Sequence, residues 1–307
     1  MVSGVVIPTL GGQYLPHCLE AVASLDPPPA RTLVVLSGGA PPPVIPRGVE
    51  LITADQRLGF AAAVNTGISA LGTSCENVGL LNDDAVPAPR WLGALQAALM
   101  ADSFLAAVQG TVTDASGAVI DGRGITLDSF GLPIQLDRGG TPAPEPPAPR
   151  AVLAVSGTAS LFRTEALRSA ALADGSVFDP AFGSYFEDVD LGLRLGRLGW
   201  KASWVPAAWA SHVGSATSRR LGWRHPWWVL TNRWRALAGN LRATALITAL
   251  PRLVRGEVRA VRTLARHNRR ALLAEVPAMA AVPWLVARSL RRPSPGPRLT
   301  MLPAAGE

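Results

Sequence analysis

Short apolar runs alternate with helical spacing along the first third of the chain. Residues 4–9 (GVVIPT) form an unbroken apolar run ending near Pro8, which predicts a buried strand. Residues 15–25 have the i, i+3, i+4 spacing of a helix, stopped by Asp26-Pro27-Pro28-Pro29. Residues 32–36 and 49–53 predict two more buried strands, 58–67 a second helix, 78–81 a fourth strand, 89–100 a third helix and 105–109 a further strand. This order predicts an α/β fold on a parallel sheet. Glycine-rich turns (Asp-Ala-Ser-Gly, Asp-Gly-Arg-Gly) between 111 and 140 predict hairpins. Residues 141–149 (TPAPEPPAP) read as a proline-rich surface loop. The apolar run 152–162 is broken at Ser156-Gly157-Thr158. A helix is expected over 185–195 and a last strand over 200–205.

In such sheets ligands bind beyond the carboxyl ends of the strands. That places residues 8–12, 37–39 and 55–59 on one rim. Gly59 permits close backbone approach, and the helix start beside it could take a phosphate. Asn65 lies inside an apolar helix, and a buried amide needs partners, either a ligand or a neighbouring loop that it caps. Asn82-Asp83-Asp84 ends the fourth strand. It serves either turn chemistry before the next helix or a Mg²⁺ or Mn²⁺ ion holding a diphosphate. The stretch YFEDVDLGLRL (185–195) places three carboxylates within four positions. Val189 and Leu193, with Leu191 and Leu195, can face a core. Glu187 and Asp188 then sit in the first helical turn, where unpaired N–H groups favour carboxylates. The alternative is a general base at the rim of a pocket. His212 follows the last expected strand among small residues, where a ring has little to pack against.

Composition narrows the class. The 307 residues are 48% hydrophobic, which fits a globular protein. The two cysteines, Cys18 and Cys75, have no metal or CxxC spacing, so a reducing, cytoplasmic compartment is expected. MVSGVVIPT lacks the basic and long apolar regions of a signal peptide. The best candidate for a membrane span, 276–287, is short and holds two prolines. Charge divides sharply. Residues 1–218 hold 12 Arg+Lys against 19 Asp+Glu, and residues 219–307 hold 17 Arg against 3 Glu. Arg252, Arg255, Arg259, Arg262 and Arg266, three and four apart, make a basic helix face. That face either packs on the body with a solvated outer side or meets an anionic membrane surface through 219–292. Nucleic acid has no motif support.

Six segments taken in order resemble the family 2 inverting glycosyltransferases of the GT-A fold: VVIPT at Val5, LGFAAAVNTGI at Leu58, LLNDDA at Leu80, VSGTASLFRTEAL at Val155, FDPAFGSYFEDVDLGLRLGRLGW at Phe178, and His212. The branch it most resembles is that of the bacterial rhamnosyltransferase-like and galactofuranosyltransferase-like members, and the resemblance covers roughly residues 2–240. It implies a Rossmann-like mixed sheet flanked by helices in a catalytic domain over 1–218. The nucleotide-sugar half would be about 1–110, the acceptor half about 111–218, and 219–307 a basic helical extension. It also implies roles. Pro8, Thr9, Leu10, Ser37, Gly59, Asn65, Asn82 and Asp83 would hold the nucleotide sugar. Asp84 and His212 would bind Mn²⁺ or Mg²⁺. Ser156, Gly157, Thr158 and Tyr185 would line the acceptor side. Asp188 would be the base, with Glu187 its rival. The implied reaction moves a sugar, rhamnose from a dTDP donor as the best guess, to a hydroxyl of a cell-envelope glycan or lipid-linked acceptor. Two departures stand out: Asn82 opens the acidic cluster, and Leu36-Ser37-Gly38-Gly39 has no acid after the second strand. A degenerate sugar-nucleotide-binding homologue is therefore the alternative. A nucleotidyltransferase fits less well, because residues 9–13 lack the basic loop that chemistry needs. The C-terminal helices could pair subunits.

Overall fold

The computed structural model describes residues 1–142, 148–214, 224–267 and 272–303, with side chains throughout except at 224–225 and 264–276. Most of the expected proline-rich loop, the first basic residues after 218 and the Arg266 side chain lie outside the described residues.

Strands β1 (Ser3–Thr9), β2 (Arg31–Ser37), β3 (Val49–Ala54) and β4 (Asn77–Leu81) pair in parallel in the order β4-β1-β2-β3. Helices cover both faces, which explains the unbroken apolar runs. On one side α1 (Leu15–Ala23) and α3 (Trp91–Ala101) bury Leu15, Leu19, Leu92 and Leu95 against Val5, Ile7 and Val34. On the other, α2 (Phe60–Leu71) and α4 (Thr164–Ser169) bury Val64, Leu71 and Leu167 against Val6, Leu33 and Val35.

The sheet is mixed beyond this core. It adds β5 (Ala85–Pro87), β6 (Leu105–Asp114), β7 (Ile120–Gly122), β10 (Arg150–Val152), β11 (Ala159–Arg163) and β12 (Lys201–His212). Strand β11 lies antiparallel between β4 and β6, and the order is β10-β12-β6-β11-β4-β1-β2-β3. Strands β8 (Ile125–Leu127) and β9 (Pro133–Gln135) form the separate hairpin expected from the turn residues.

The last strand departs from expectation. It does not stop at Val205 but runs to His212, so His212 is its final residue rather than lying beyond it. Proline lacks the ladder N–H, and Pro206 lies inside this strand. The register against β6 shifts between Trp204 and Trp209, so an irregularity absorbs Pro206. Gly110 makes room for it, because a Cβ there would lie 2.2 Å from the Ala208 carbonyl oxygen.

Helix α5 (Glu187–Arg197) is buried nearly all round. Val189 and Leu193 enter one apolar cluster, and Leu191 and Leu195 another. The buried Arg194 pairs with Asp190 at 2.9 Å and donates to the Ala170 and Val177 carbonyls. Helix α6 (Arg224–Asn240) packs on α5, followed by α7 (Ala243–His267) and α8 (Leu272–Leu290). A polar seam joins α5 to α6: Asn240 Nδ2 donates to Asp190 at 2.8 Å, and Arg197 donates to Asn240 Oδ1 at 2.8 Å. Leu230, Trp234, Leu237, Leu246 and Leu253 close a core among the C-terminal helices.

Candidate active site

Strand β4 delivers Asn82-Asp83-Asp84 to the sheet's carboxyl edge. The turn is set by the Asn82 N–H donating to the Thr158 carbonyl (2.9 Å) and the Ala85 N–H donating to the Asn82 carbonyl (3.1 Å). The Asn82 side chain is left half-buried on the rim. Asp83 faces the loop after β1. Thr9 Oγ1 donates to it at 2.5 Å and accepts from the N–H groups of Gly11 (3.0 Å) and Gly12 (3.4 Å). A Cβ on Gly12 would lie 2.9 Å from the Asp83 carboxylate, so this loop must be bare backbone. Behind it, burial and then the Asp83 and Asp84 charges push the Cys18 thiol far up, leaving it a neutral wall.

Asp84 points elsewhere. Its Oδ1 lies 3.1 Å from His212 Nε2, and His212 Nδ1 lies 3.0 Å from Asp121 Oδ2. Arg138 stands 3.2 Å from the other Asp121 oxygen. Burial lowers the His212 pKa, but hydrogen bonds to Asp121 and Asp84 outweigh it and raise the group to about 9. The bond to His212 holds the Asp121 carboxyl below its usual range against the opposing effect of burial. A carboxylate behind an imidazole fixes the ring and aims its other nitrogen, an arrangement common behind metal-ligating histidines. The Asp84 carboxylate suits Mn²⁺ or Mg²⁺, and His212, raised to about 9 without the ion, would have to give up a proton to add its imidazole, so the donor set fits the implied ion with proton release on binding. Among the described residues no three His, Cys, Asp or Glu side chains form a metal cage. Asp121 was read only as part of a turn. Nothing in the sequence announced that β7 would bring it to His212, 91 residues away.

The second acidic group opens α5. Asp188 keeps partial exposure, and its Oδ1 accepts from the Val189 N–H at 2.8 Å. Burial raises its pKa to about 6, against the hydrogen bonds from the Val189 and Gly157 N–H groups. Glu187 is buried, and its Oε2 has no hydrogen-bond partner among the described residues. Burial first, and then the Asp188 charge, drives its pKa well above the carboxylate range. Burial therefore raises both carboxyls of the pair, and of the two only Asp188 keeps exposure. Burial pushes the Tyr185 hydroxyl up to about 12, with a contribution from Glu187.

The turn at 156–158 links the two acidic groups. The Ser156 N–H donates to Gln109 Oε1 at 2.6 Å, and the Ser156 and Thr158 hydroxyls lie 3.0 Å apart. The Thr158 carbonyl holds Asn82, and the Gly157 N–H holds Asp188. Phe60 lies over Gly157, where a Cβ would come within 2.6 Å of the ring.

Several of the residues expected to meet ligand also make bonds within the protein. Asn65 donates to the Phe178 carbonyl (2.7 Å) and accepts from the Val177 (3.2 Å) and Phe178 (2.9 Å) N–H groups, capping a loop. Gly59 allows close packing, because a Cβ there would lie 2.7 Å from the Gly183 carbonyl oxygen. That carbonyl accepts from the Ala61 N–H at 3.3 Å. Ser37 is buried and accepts from the Leu58 N–H at 3.3 Å. The buried Thr9 and Ser156 hydroxyls are likewise engaged within the protein, and Gly157 is covered. Pro8 and Leu10 remain half-buried at the edge of β1. The loops thus converge as expected, and many of the residues predicted to touch ligand hold one loop to the next.

The family model for Glycosyl transferase family group 2 matches residues 80–304, a span that includes both acidic groups, His212 and most of the C-terminal helices. Among curated proteins, the N-acetylglucosaminyl-diphospho-decaprenol L-rhamnosyltransferases of two Mycobacterium tuberculosis strains (CDC 1551 / Oshkosh and ATCC 25618 / H37Rv) are each 28% identical over 292 residues, 77% of this chain and 90% of theirs. Among solved structures, GalNAc-T7 with UDP, GalNAc and Mn²⁺ aligns with a TM-score of 0.58 at 14% identity over 79% of this chain. This chain spans about half of that one (48%). A Pyrobaculum calidifontis mannosyltransferase in complex with GDP-Man and Mn²⁺ aligns at 0.53 and 17% identity, over 94% of this chain and 72% of that one. These two likenesses show the shared GT-A fold.

Proposed function

The chain belongs to Glycosyl transferase family group 2 and is a glycosyltransferase, and from that premise we propose a metal-assisted, inverting transfer of a sugar from a nucleotide diphosphate to an acceptor hydroxyl. The observation carrying this reading is the separation of two acidic groups joined by the 156–158 turn. Asp84 with His212 serves the departing diphosphate, and Asp188 serves the incoming hydroxyl. A divalent cation, when bound, supplies positive charge to the leaving diphosphate. Asp83, Thr9 and the bare Gly11-Gly12 backbone shape the donor side. Asp121 and Arg138 hold His212 in place. Asp188, the carboxyl of the pair that keeps exposure, accepts the proton in its ionised form as the hydroxyl attacks the anomeric carbon. Rhamnose is the favoured sugar, supported by the 28% identity to curated rhamnosyltransferases, with dTDP taken as its carrier from the family resemblance alone.

Thermal unfolding with UDP, dTDP and GDP, each with and without Mn²⁺, tests this reading. A ligand at about 100 times its dissociation constant should add about 2.7 kcal/mol. We expect a Mn²⁺-dependent rise with dTDP. A rise with another nucleotide would reassign the donor, and no rise with any would favour a degenerate binding homologue.

We also propose that α7 rests on an anionic membrane surface, next to a lipid-linked acceptor. The basic face is not simply solvated. Arg252 donates to the Ser129 carbonyl (2.8 Å), and Arg259 stacks 5.5 Å from the Phe130 ring. What supports the proposal is an outward apolar stripe opposite the packed side. Ile247 (69% exposed), Leu250 (42%), Val254 (45%) and Val258 (42%) recur at three and four residues. Arg255 and Arg262 lie beside it, exposed. A second copy docking through this face would oppose like charges, whereas anionic lipid complements them. Among the described residues no helix is long and apolar enough to cross a membrane, so contact would be interfacial. The protein should float with phosphatidylglycerol vesicles and not with phosphatidylcholine alone, and Ile247→Ser with Val254→Ser should abolish flotation. Absence of flotation at low salt would refute this part.

A further inference from the structure

We infer that Asn232, on α6, is a positioning residue whose side-chain amide holds the turn that aims Asp188; this rests on reading Asp188 as the base. The turn at 183–186 is an unfavourable piece of backbone. Tyr185 (φ 71°) and Phe186 (φ 68°) are consecutive non-glycine residues in the left-handed region, a conformation that persists only where surrounding contacts impose it. The two candidate carboxylates follow immediately.

The contacts that impose it come largely from α6. Asn232 is buried, and its Nδ2 lies 2.8 Å from the Phe182 carbonyl oxygen and 3.0 Å from those of Ser184 and Tyr185. The two N–H bonds of one amide are thus shared among three carbonyls of the turn, of which that of Phe182 also accepts from the Ser184 N–H at 2.7 Å. Its own orientation is fixed, because Asn232 Oδ1 accepts from Arg235 Nη1 at 2.7 Å. Arg235 also donates to the Ala181 carbonyl and lies 5.4 Å from the Phe182 ring. The Arg233 guanidinium stands 6.0 Å from the Phe186 ring. On the opposite side the start of α2 holds the Gly183 carbonyl. The turn is therefore clamped between a sheet-covering helix and a C-terminal one. If the clamp were released, the left-handed pair would relax, and Asp188 would move relative to the Gly157 N–H.

Steady-state kinetics on Asn232→Ala and Asn232→Asp, alongside donor binding and thermal unfolding, test the inference. Aspartate keeps the volume and the bond from Arg235 but cannot donate. A purely space-filling role predicts near wild-type kcat for Asn232→Asp and a larger loss for Asn232→Ala. The clamp predicts a kcat loss of about 10²-fold in both, with Asn232→Asp at least as impaired and the donor dissociation constant within about twofold of wild type. The pH profile of kcat/KM should also lose its acid limb near about 6. Wild-type kcat in either variant, a loss confined to donor binding, or failure of both to fold would overturn it. Asp188→Asn separates the two levels. If that variant is fully active, the assignment of the base has failed; if it is inactive while both Asn232 variants turn over normally, the clamp alone has failed.

Discussion

Asp188→Asn should lower sugar transfer by about 10³-fold while leaving donor binding intact, since a positioned general base contributes about 10²–10⁴-fold. The variant keeps the size of the side chain and its place at the start of α5. It removes only the capacity to take a proton. Burial has raised the wild-type carboxyl to about 6. The group must be ionised to act, so wild-type kcat/KM should rise through about pH 6 and level off above it. Stability runs the other way. A carboxyl whose folded pKa lies above its unfolded value near 3.8 holds its proton more tightly when folded. Folding therefore loses stability as pH rises from about 4 to about 6, and Glu187, raised by the same burial, adds to the trend. Asp188→Asn should accordingly unfold at a higher temperature than wild type at pH 8 and near the wild-type temperature at pH 4. An active variant, or one destabilised at pH 8, would contradict the assignment. Glu187→Gln should be the milder change, because Glu187 is buried and Asp188 is the carboxyl that keeps exposure.

Asp84→Ala should remove the Mn²⁺-dependent nucleotide stabilisation entirely and lower transfer by about 10²–10³-fold, the usual cost of losing one group that meets developing charge. Asp84 is the carboxylate at which His212 is aimed. Removing it leaves the imidazole facing no protein acid on that side, while Asp121 still holds the other nitrogen. Asp121→Asn should be weaker, about 10- to 100-fold in metal affinity, as expected for a residue acting through the ligand's ring. Thermal shift with and without Mn²⁺ reads both variants on one scale. Asp84→Ala with an undiminished Mn²⁺-dependent shift would move the diphosphate site away from β4, with Asp83 the next candidate. The two predictions are independent: Asp188→Asn should bind nucleotide and metal normally, and Asp84→Ala should leave the carboxyl pair of α5 unchanged.

Local patterning alone made the α/β core and the acidic clusters legible. Continuous apolar runs declare strands covered on both faces, and a strand that ends in Asn82-Asp83-Asp84 declares where its carboxyl end lies. The same patterning placed Glu187 and Asp188 in the first turn of a helix. It could not rank them, because ranking depends on which carboxyl is buried without a partner, and that is set by packing between α5 and α6. It did not show that Asn65, Gly59 and Ser37 join one loop to another, for a related reason: polar and glycine positions on a rim look alike whether they meet a ligand or another loop. It ended the last strand at Val205, since the register shift that carries the strand on to His212 is set by pairing with β6. Asp121 and Asn232 carried no local mark at all. Their roles arise from contacts 91 residues away, to His212, and 47 to 50 residues away, to the turn before α5. The sequence by itself determined the elements, the edge where ligands gather and the chemical types present there. Only the tertiary structure decided which carboxylate is buried and which keeps exposure, which histidine nitrogen faces Asp84 and what holds the left-handed turn, because hydrogen bonding and burial between distant segments set all three.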